Sequence, residues 1–203
     1  MEKTKINIRF FIICCAIFAL TSCQNSNKST PKPYGYFRIN MSENQYQQFN
    51  KEKTPYAFEY STIAKVEERT DKPEQNWLNI VYPQHNAIIH ITYHSIKNNL
   101  DTIISDSHHF TYRHSIKADA IETETYFFPD KHVFGLYAEV EGNVASPIQF
   151  LVTDSVRHFV RGSLYFNVEP NRDSVAPVVD FIRKDIFHLM KTLEWENKLT
   201  NRK

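Results

Sequence analysis

Apolar positions along this chain mostly recur at every second residue, and in two stretches the spacing lengthens to three and four. A period of two marks a strand with one buried face, and a period near 3.6 marks a helix. "YGYFRIN" (34–40) reads as a strand. "SENQYQQFN" (42–50) reads as a short helix, with Ser42 capping it and Gln45 in the capping-box position. "YAFEYSTIAKVEER" (56–69) gives two short strand-like pieces, and "WLNIVYP" (77–83) and "AIIHITYH" (87–94) pair as a tight hairpin. Leu100, Ile103, Ile104, Ser107, Phe110 and His114 then follow helical spacing, which predicts a helix over 98–118. Further strands are expected at 120–128, 133–140, 148–154 and 157–168. A last helix is expected from Asp173 or Ser174, with Pro177 tolerated in its first turn. Its apolar stripe is Val175, Val178, Val179, Ile182, Ile186, Leu189, Met190 and Leu193. The order predicts a single α+β domain, mainly antiparallel β-sheet covered by two long helices.

One apolar run fits neither period. Phe10 to Leu20 is continuously apolar but only about half of the ~20 residues that span a bilayer. Lys3, Lys5 and Arg9 precede it and small residues follow, the layout of a secretory signal peptide. Leu20-Thr21-Ser22-Cys23 has the order aliphatic, small, small, cysteine, and resembles a bacterial lipobox, in which the thiol is acylated and the chain is cut just before it. The alternative is an ordinary signal peptide followed by an incidental cysteine. The expected division is a lipoprotein signal peptide (1–22), an acylated N-terminus and polar tether (23–33), a globular α+β domain (34–195) and a charged tail (196–203). The eleven tether residues reach at most ~36–40 Å when extended, so the domain stays near the membrane.

Processing at that point changes what the composition means. Cys14 and Cys15 leave with the signal and Cys23 carries lipid, so the mature chain holds no free thiol. The formal charge is +1 for the whole chain; without Lys3, Lys5, Arg9 and Glu2, 21 basic and 22 acidic side chains remain, a charge of −1. That balance supplies no long-range attraction to nucleic acid or anionic lipid. Membrane attachment falls to the acyl chains. With four glycines against 15 Phe, 11 Tyr and 2 Trp, the composition favours a sheet-rich core with few elaborate loops.

The spacing of polar residues bears on candidate chemistry. His90 and His94 share a strand face but lie roughly 13 Å apart along it, too far for one ion. His108, His109 and His114 do not repeat at the three or four residues of helical metal pairs. Gly162-Ser163 lacks the second glycine of a nucleophile elbow. Asp154, Ser155 and His158 read as a polar turn between strands. No glycine-rich phosphate loop occurs. The residues therefore predict no catalytic centre, no metal and no cofactor.

"PKPYGYFRI", "YPQHNAIIHITYHSIKNNL" and the block from "VFGLYAEVEGNVASPIQF" through "TDS", "GSLYF" and "PNRDS" to "DFIRKDI", together with the lipobox, resemble the gliding-motility lipoprotein GldD family. The likeness runs from Cys23 to about Trp195. It implies an envelope lipoprotein of Bacteroidota, needed for gliding and linked to type IX protein secretion. Its implied partners are other gliding or type IX envelope proteins, met by contact rather than catalysis. The one functional residue it carries over is Cys23, as the lipidation site. The tether, QNSNKSTPKP, has no acidic residue after the cysteine, and the expected location is the outer membrane with the domain facing the periplasm. The other function class open at this level is a periplasmic module that binds a small ligand or glycan. A broad apolar patch would favour a protein partner, and a deep pocket with convergent polar groups would favour a ligand.

Overall fold

Two hairpins of the same build frame the main sheet. Strands β4 (Leu78–Tyr82) and β5 (Ala87–Ser95) are joined by a 3-10 turn over Pro83–His85, closed by Asn86 in the left-handed region. Strands β6 (Ala118–Phe128) and β7 (Val133–Gly142) are joined in the same way over Pro129–Lys131, with His132 left-handed. In each loop proline presets the first turn residue, and the residue before the next strand takes a positive φ, 49° at Asn86 and 50° at His132. The computed structural model describes residues 45–50, 54–69, 76–113, 118–168 and 171–196. With β3 (Lys65–Glu68), β8 (Ile148–Thr153) and β9 (His158–Phe166), the hairpins form a seven-stranded antiparallel sheet in the order β3-β4-β5-β9-β8-β7-β6. A second sheet has the order β1-β2-β10, from β1 (Tyr46–Phe49), β2 (Tyr56–Ser61) and β10 (Glu194–Trp195).

Register decides what each sheet face carries. Ile80 pairs with Ile89, Ile89 with Leu164, Ile91 with Gly162, Gly162 with Phe150, and Phe150 with Tyr137, so these side chains share one face. Helix α2 (Arg172–Thr192) lies on that face and contributes Val178, Val179, Phe181, Ile182, Ile186, Leu189 and Met190 to the core. Fully burying a side chain of this size stabilises by about 1.5–3 kcal/mol. Gly162 is required here. A Cβ on it would fall 2.1 Å from the Phe150 ring, which lies across β9 at that point. The opposite face carries Asn79, His90, Ser163, Arg161 and Gln149 by the same registers. Helix α1 (Leu100–Arg113) covers part of it through the buried Ser107, and the Arg161 guanidinium sits 5.3 Å from the Phe110 ring.

The expected strands over 56–168 all form, each within a few residues of its expected limits. Residues 34–40 lie outside the described residues. The cover of the sheet is a correction: only α2, with 21 residues, is long, whereas α1 has 14 and its Leu100, Ile103 and Ile104 are half-buried. A second correction concerns 42–50. Tyr46–Phe49 is a strand, paired residue for residue with Phe58–Ser61 of β2. Local capping signals lost to the ladder and to the Tyr46 ring, which stacks 3.5 Å from that of His188 on α2. A third concerns Pro177. Helix α2 begins at Arg172, capped by the Asn171 side chain, which accepts from the Ser174 N–H at 3.3 Å. Pro177 therefore falls in the second turn, where it has no N–H to give the carbonyl of Asp173.

Candidate functional site

Three turns and strand ends converge at one end of the main sheet. In the β8–β9 loop the Asp154 side chain accepts backbone N–H groups from Val156, Arg157 and His158 at 2.9, 2.8 and 2.8 Å. Thr153 Oγ1 accepts from the Ser155 N–H at 2.9 Å and donates to the His158 carbonyl at 2.7 Å. Burial alone would raise the Asp154 carboxyl, but the three N–H groups and the neighbouring His158 outweigh it and hold the group below its ordinary value of 3.8. Asp154, Ser155 and His158 thus form the polar turn that their spacing implied. The carboxylate organises the loop's backbone.

That loop faces β10. The His158 ring stacks on Trp195 with centroids 5.2 Å apart, and its Nδ1 lies 2.9 Å from the Tyr93 hydroxyl. Trp195 Nε1 donates to the His132 carbonyl at 3.3 Å, and Lys131 bridges to Glu194 at 3.0 Å and to the Thr192 carbonyl at 3.2 Å. Between these elements runs an open groove of about 580 Å³. At its lip, Phe134 stacks on Phe127 at 4.5 Å, and the two are 43% and 54% exposed. Val156, 68% exposed, continues the apolar surface.

A more enclosed cavity of about 140 Å³ lies where α2 begins, walled by Val140, Val144, Phe166, Val175 and Val179. Its charges are matched to one another: Arg172 with Glu141 at 2.9 Å, and Arg183 with Glu139, with Asp180 at 2.6 Å and with the Tyr137 hydroxyl at 3.3 Å. Burial weakens the Arg183 cation, but the bonds from Glu139 and Tyr137 more than compensate and raise its pKa. Burial, then the Glu139 charge, push the Tyr137 hydroxyl up. The space is well below the ~300–1,000 Å³ of a usual ligand pocket. A third polar pair, Tyr82 with Asp185 at 3.0 Å, is sealed beneath α2.

His90 and His94 pack against aromatic rings. His90 bonds Asn79 at 2.8 Å and leans on Tyr165, and His94 meets Trp77 and Phe159 edge-on. Burial, then a nearby arginine, lowers the pKa of each: Arg69 for His90 and Arg161 for His94. His108 and His109 are exposed on α1. Among the described residues, no three His, Cys, Asp or Glu side chains converge on a point that could hold a metal ion. Cys23 and His114 lie outside the described residues. The exposed aromatics were missed from sequence, although a signal was there. Phe127-Phe128 and Val133-Phe134 are adjacent apolar pairs within strands, and alternation forces one of each pair off the core face.

Among curated proteins no match is found. The solution structure of cyanobacterial PsbP (CyanoP) from Synechocystis sp. PCC 6803 is similar at 11% identity and a TM-score of 0.49. That alignment covers 81% of this chain and 99% of that one, a likeness too distant to bear on function. The sequence profile described as gliding motility lipoprotein GldD matches residues 26–195, nearly all of the chain beyond the short N-terminal apolar run. The chain belongs to the gliding motility lipoprotein GldD family.

Proposed function

We propose that this protein is a Cys23-acylated lipoprotein of the outer membrane. Its domain faces the periplasm and acts by protein contact, without catalysis, beside the machinery of gliding and type IX secretion. Family membership supports the link to gliding. The observation that carries the contact reading is the solvent-facing Phe127–Phe134 stack, with Val156 and Trp195, around a wide groove. Exposed apolar surface of this kind costs solubility and is retained where a partner covers it. A ligand or glycan module would call for a deep pocket with polar groups still to be satisfied. The enclosed cavity here is small, and its arginines already pair with carboxylates.

Complementation of a deletion strain tests this reading. Loss of the protein is expected to impair delivery of type IX substrates, and gliding where the organism glides. The Phe127→Glu/Phe134→Glu variant, folded and present at normal level, is expected to fail to complement, whereas His108→Ala and Ser155→Ala complement fully. Complete loss of function from either of those polar substitutions would instead favour a chemical or ligand site. The anchor is tested separately: Cys23→Ala should abolish fatty-acid labelling, and shaving of intact cells with protease should spare the wild-type domain. Continued labelling of the variant, or digestion before permeabilisation, overturns the corresponding part.

A further inference from the structure

Strand β6 is the last strand of the seven-stranded sheet, and among the described residues its outer side pairs with no other strand. Proteins usually blunt such an edge with brevity, lysine, proline or a bulge, because its open N–H and C=O groups template pairing with another chain. The opposite edge obeys that rule: β3 has four residues and begins with Lys65. Strand β6 does not. It has eleven residues, ADAIETETYFF, with no lysine and no proline, and its one irregularity sits at the Ala118/Ala120 end. Its exposed side chains include Asp119, Glu122 and Glu124, and the strand carries no cation. On the adjacent β7, Glu139 and Glu141 are already matched by Arg183 and Arg172.

We propose that the outer edge of β6 takes up an extended segment of a partner protein as an added strand, with lysine or arginine at alternate positions facing Glu122 and Glu124. Backbone bonds would supply affinity, and the cross-strand charges would select register and partner. Two other occupants fit less well. A second copy must pair antiparallel about a two-fold axis normal to the sheet, and alternation of side chains then centres the pairing on a residue. The three registers of longest overlap, centred on Glu122, Thr123 or Glu124, each set glutamate opposite glutamate, which is repulsive. The chain's own 34–44 stretch offers one cation, Arg38, and one anion, Glu43, so it has no net charge to match the edge. The proposal deepens the contact reading and rests on it, naming the kind of segment that docks.

The test uses the full acylated chain in non-ionic detergent and fluorescent nonapeptides of alternating lysine and valine. Control peptides replace lysine by glutamate, or carry N-methyl groups on alternate amides. The lysine peptide is expected to bind, and both controls to bind at least about tenfold more weakly. The Glu122→Lys/Glu124→Lys variant changes only exposed side chains, and it is expected to reverse the preference between the lysine and glutamate peptides. The proposal is overturned by no binding of the lysine peptide, by equal binding of the N-methylated peptide, or by an unchanged preference in the variant. It is also overturned if the wild type dimerises through this edge in ultracentrifugation, or if it binds only after 34–44 is replaced by a glycine-serine stretch. In cells, the charge-reversed variant is expected not to complement the deletion. If it complements while Phe127→Glu/Phe134→Glu does not, the edge is excluded and the contact reading stands; if both complement, the contact reading itself fails.

Discussion

The two faces of the seven-stranded sheet differ in how much apolar surface they bury. The face under α2 is dry: Ile182 and Ile186 are fully buried on the helix, and Ile89, Leu164 and Val152 on the strands beneath. The other face combines a smaller apolar set, in which Phe159 is fully buried, with polar pairs. Arg161 donates to Gln149 at 2.7 Å, His90 meets Asn79 at 2.8 Å, and the shorter α1 covers only part of the surface. Net hydrogen bonds are worth ~0.5–1.5 kcal/mol each, about half of what a fully buried aliphatic contributes. Stability therefore concentrates on one face, and the other is free to carry exposed aromatics such as Phe134 and Phe110 without endangering the fold.

The comparison breaks most readily at its strong side. Ile186→Ala is expected to cost ~2–5 kcal/mol in denaturant melts, because the side chain is wholly buried beneath α2. Next, Gly162→Ala is expected to cost ~1–3 kcal/mol, because Phe150 is walled in and its ring cannot easily yield to a new methyl group. A smaller effect, about 1 kcal/mol, is expected for Ile104→Ala on the half-buried α1. Amide exchange on α1 is accordingly expected to run ahead of that on α2; equal protection of the two helices would mean that both faces are equally stable.

The polar turn adds a pH dependence of its own. The Asp154 carboxyl is depressed in the folded state, so its contribution is fully present above its unfolded value near 3.8 and is lost as pH falls through the lower folded value. The stability gap between wild type and Asp154→Asn is therefore expected to be widest near neutrality and to close below pH ~4, as read from denaturant midpoints. Last, Lys184→Ala, exposed on α2 between the buried Ile182 and Ile186, should stay within about 0.5 kcal/mol of wild type. A loss comparable to that of Ile186→Ala would mean that α2 presents a different face.

Much of this architecture was legible because long elements average out local conflict. The stripe on α2 named seven residues that prove buried, and only Val175 at its start stays half-exposed. Phe181 and Asp185 were missed, since a helix pressed into a sheet and flanked by β2 buries more than one stripe. Asp185 in particular looks solvent-facing by type, and its burial depends on Tyr82, about a hundred positions earlier. Short elements were the least legible. Tyr46–Phe49 has good helix-start signals and becomes a strand only because β2 and His188 are there to receive it. Glu194–Trp195 is too short to show any period. The candidate contact surface was legible only as doubled aromatic and aliphatic residues within strands, because exposure is set by neighbours rather than by the residue itself.

The placement of β10 constrains the order of events in the life of the chain. Strand β2 lies between β1 and β10, with Ala57 opposite Glu194 and Tyr56 opposite Trp195. An early strand thus has its second edge closed by nearly the last described residues, a contact whose long loop is entropically costly to close. A chain threaded through a membrane N-terminus first, as the proposed leader requires, would emerge with β2 unfinished and would lock only after Trp195 had crossed. The sheet that begins with the first described strand would thus be completed only on the far side of the membrane.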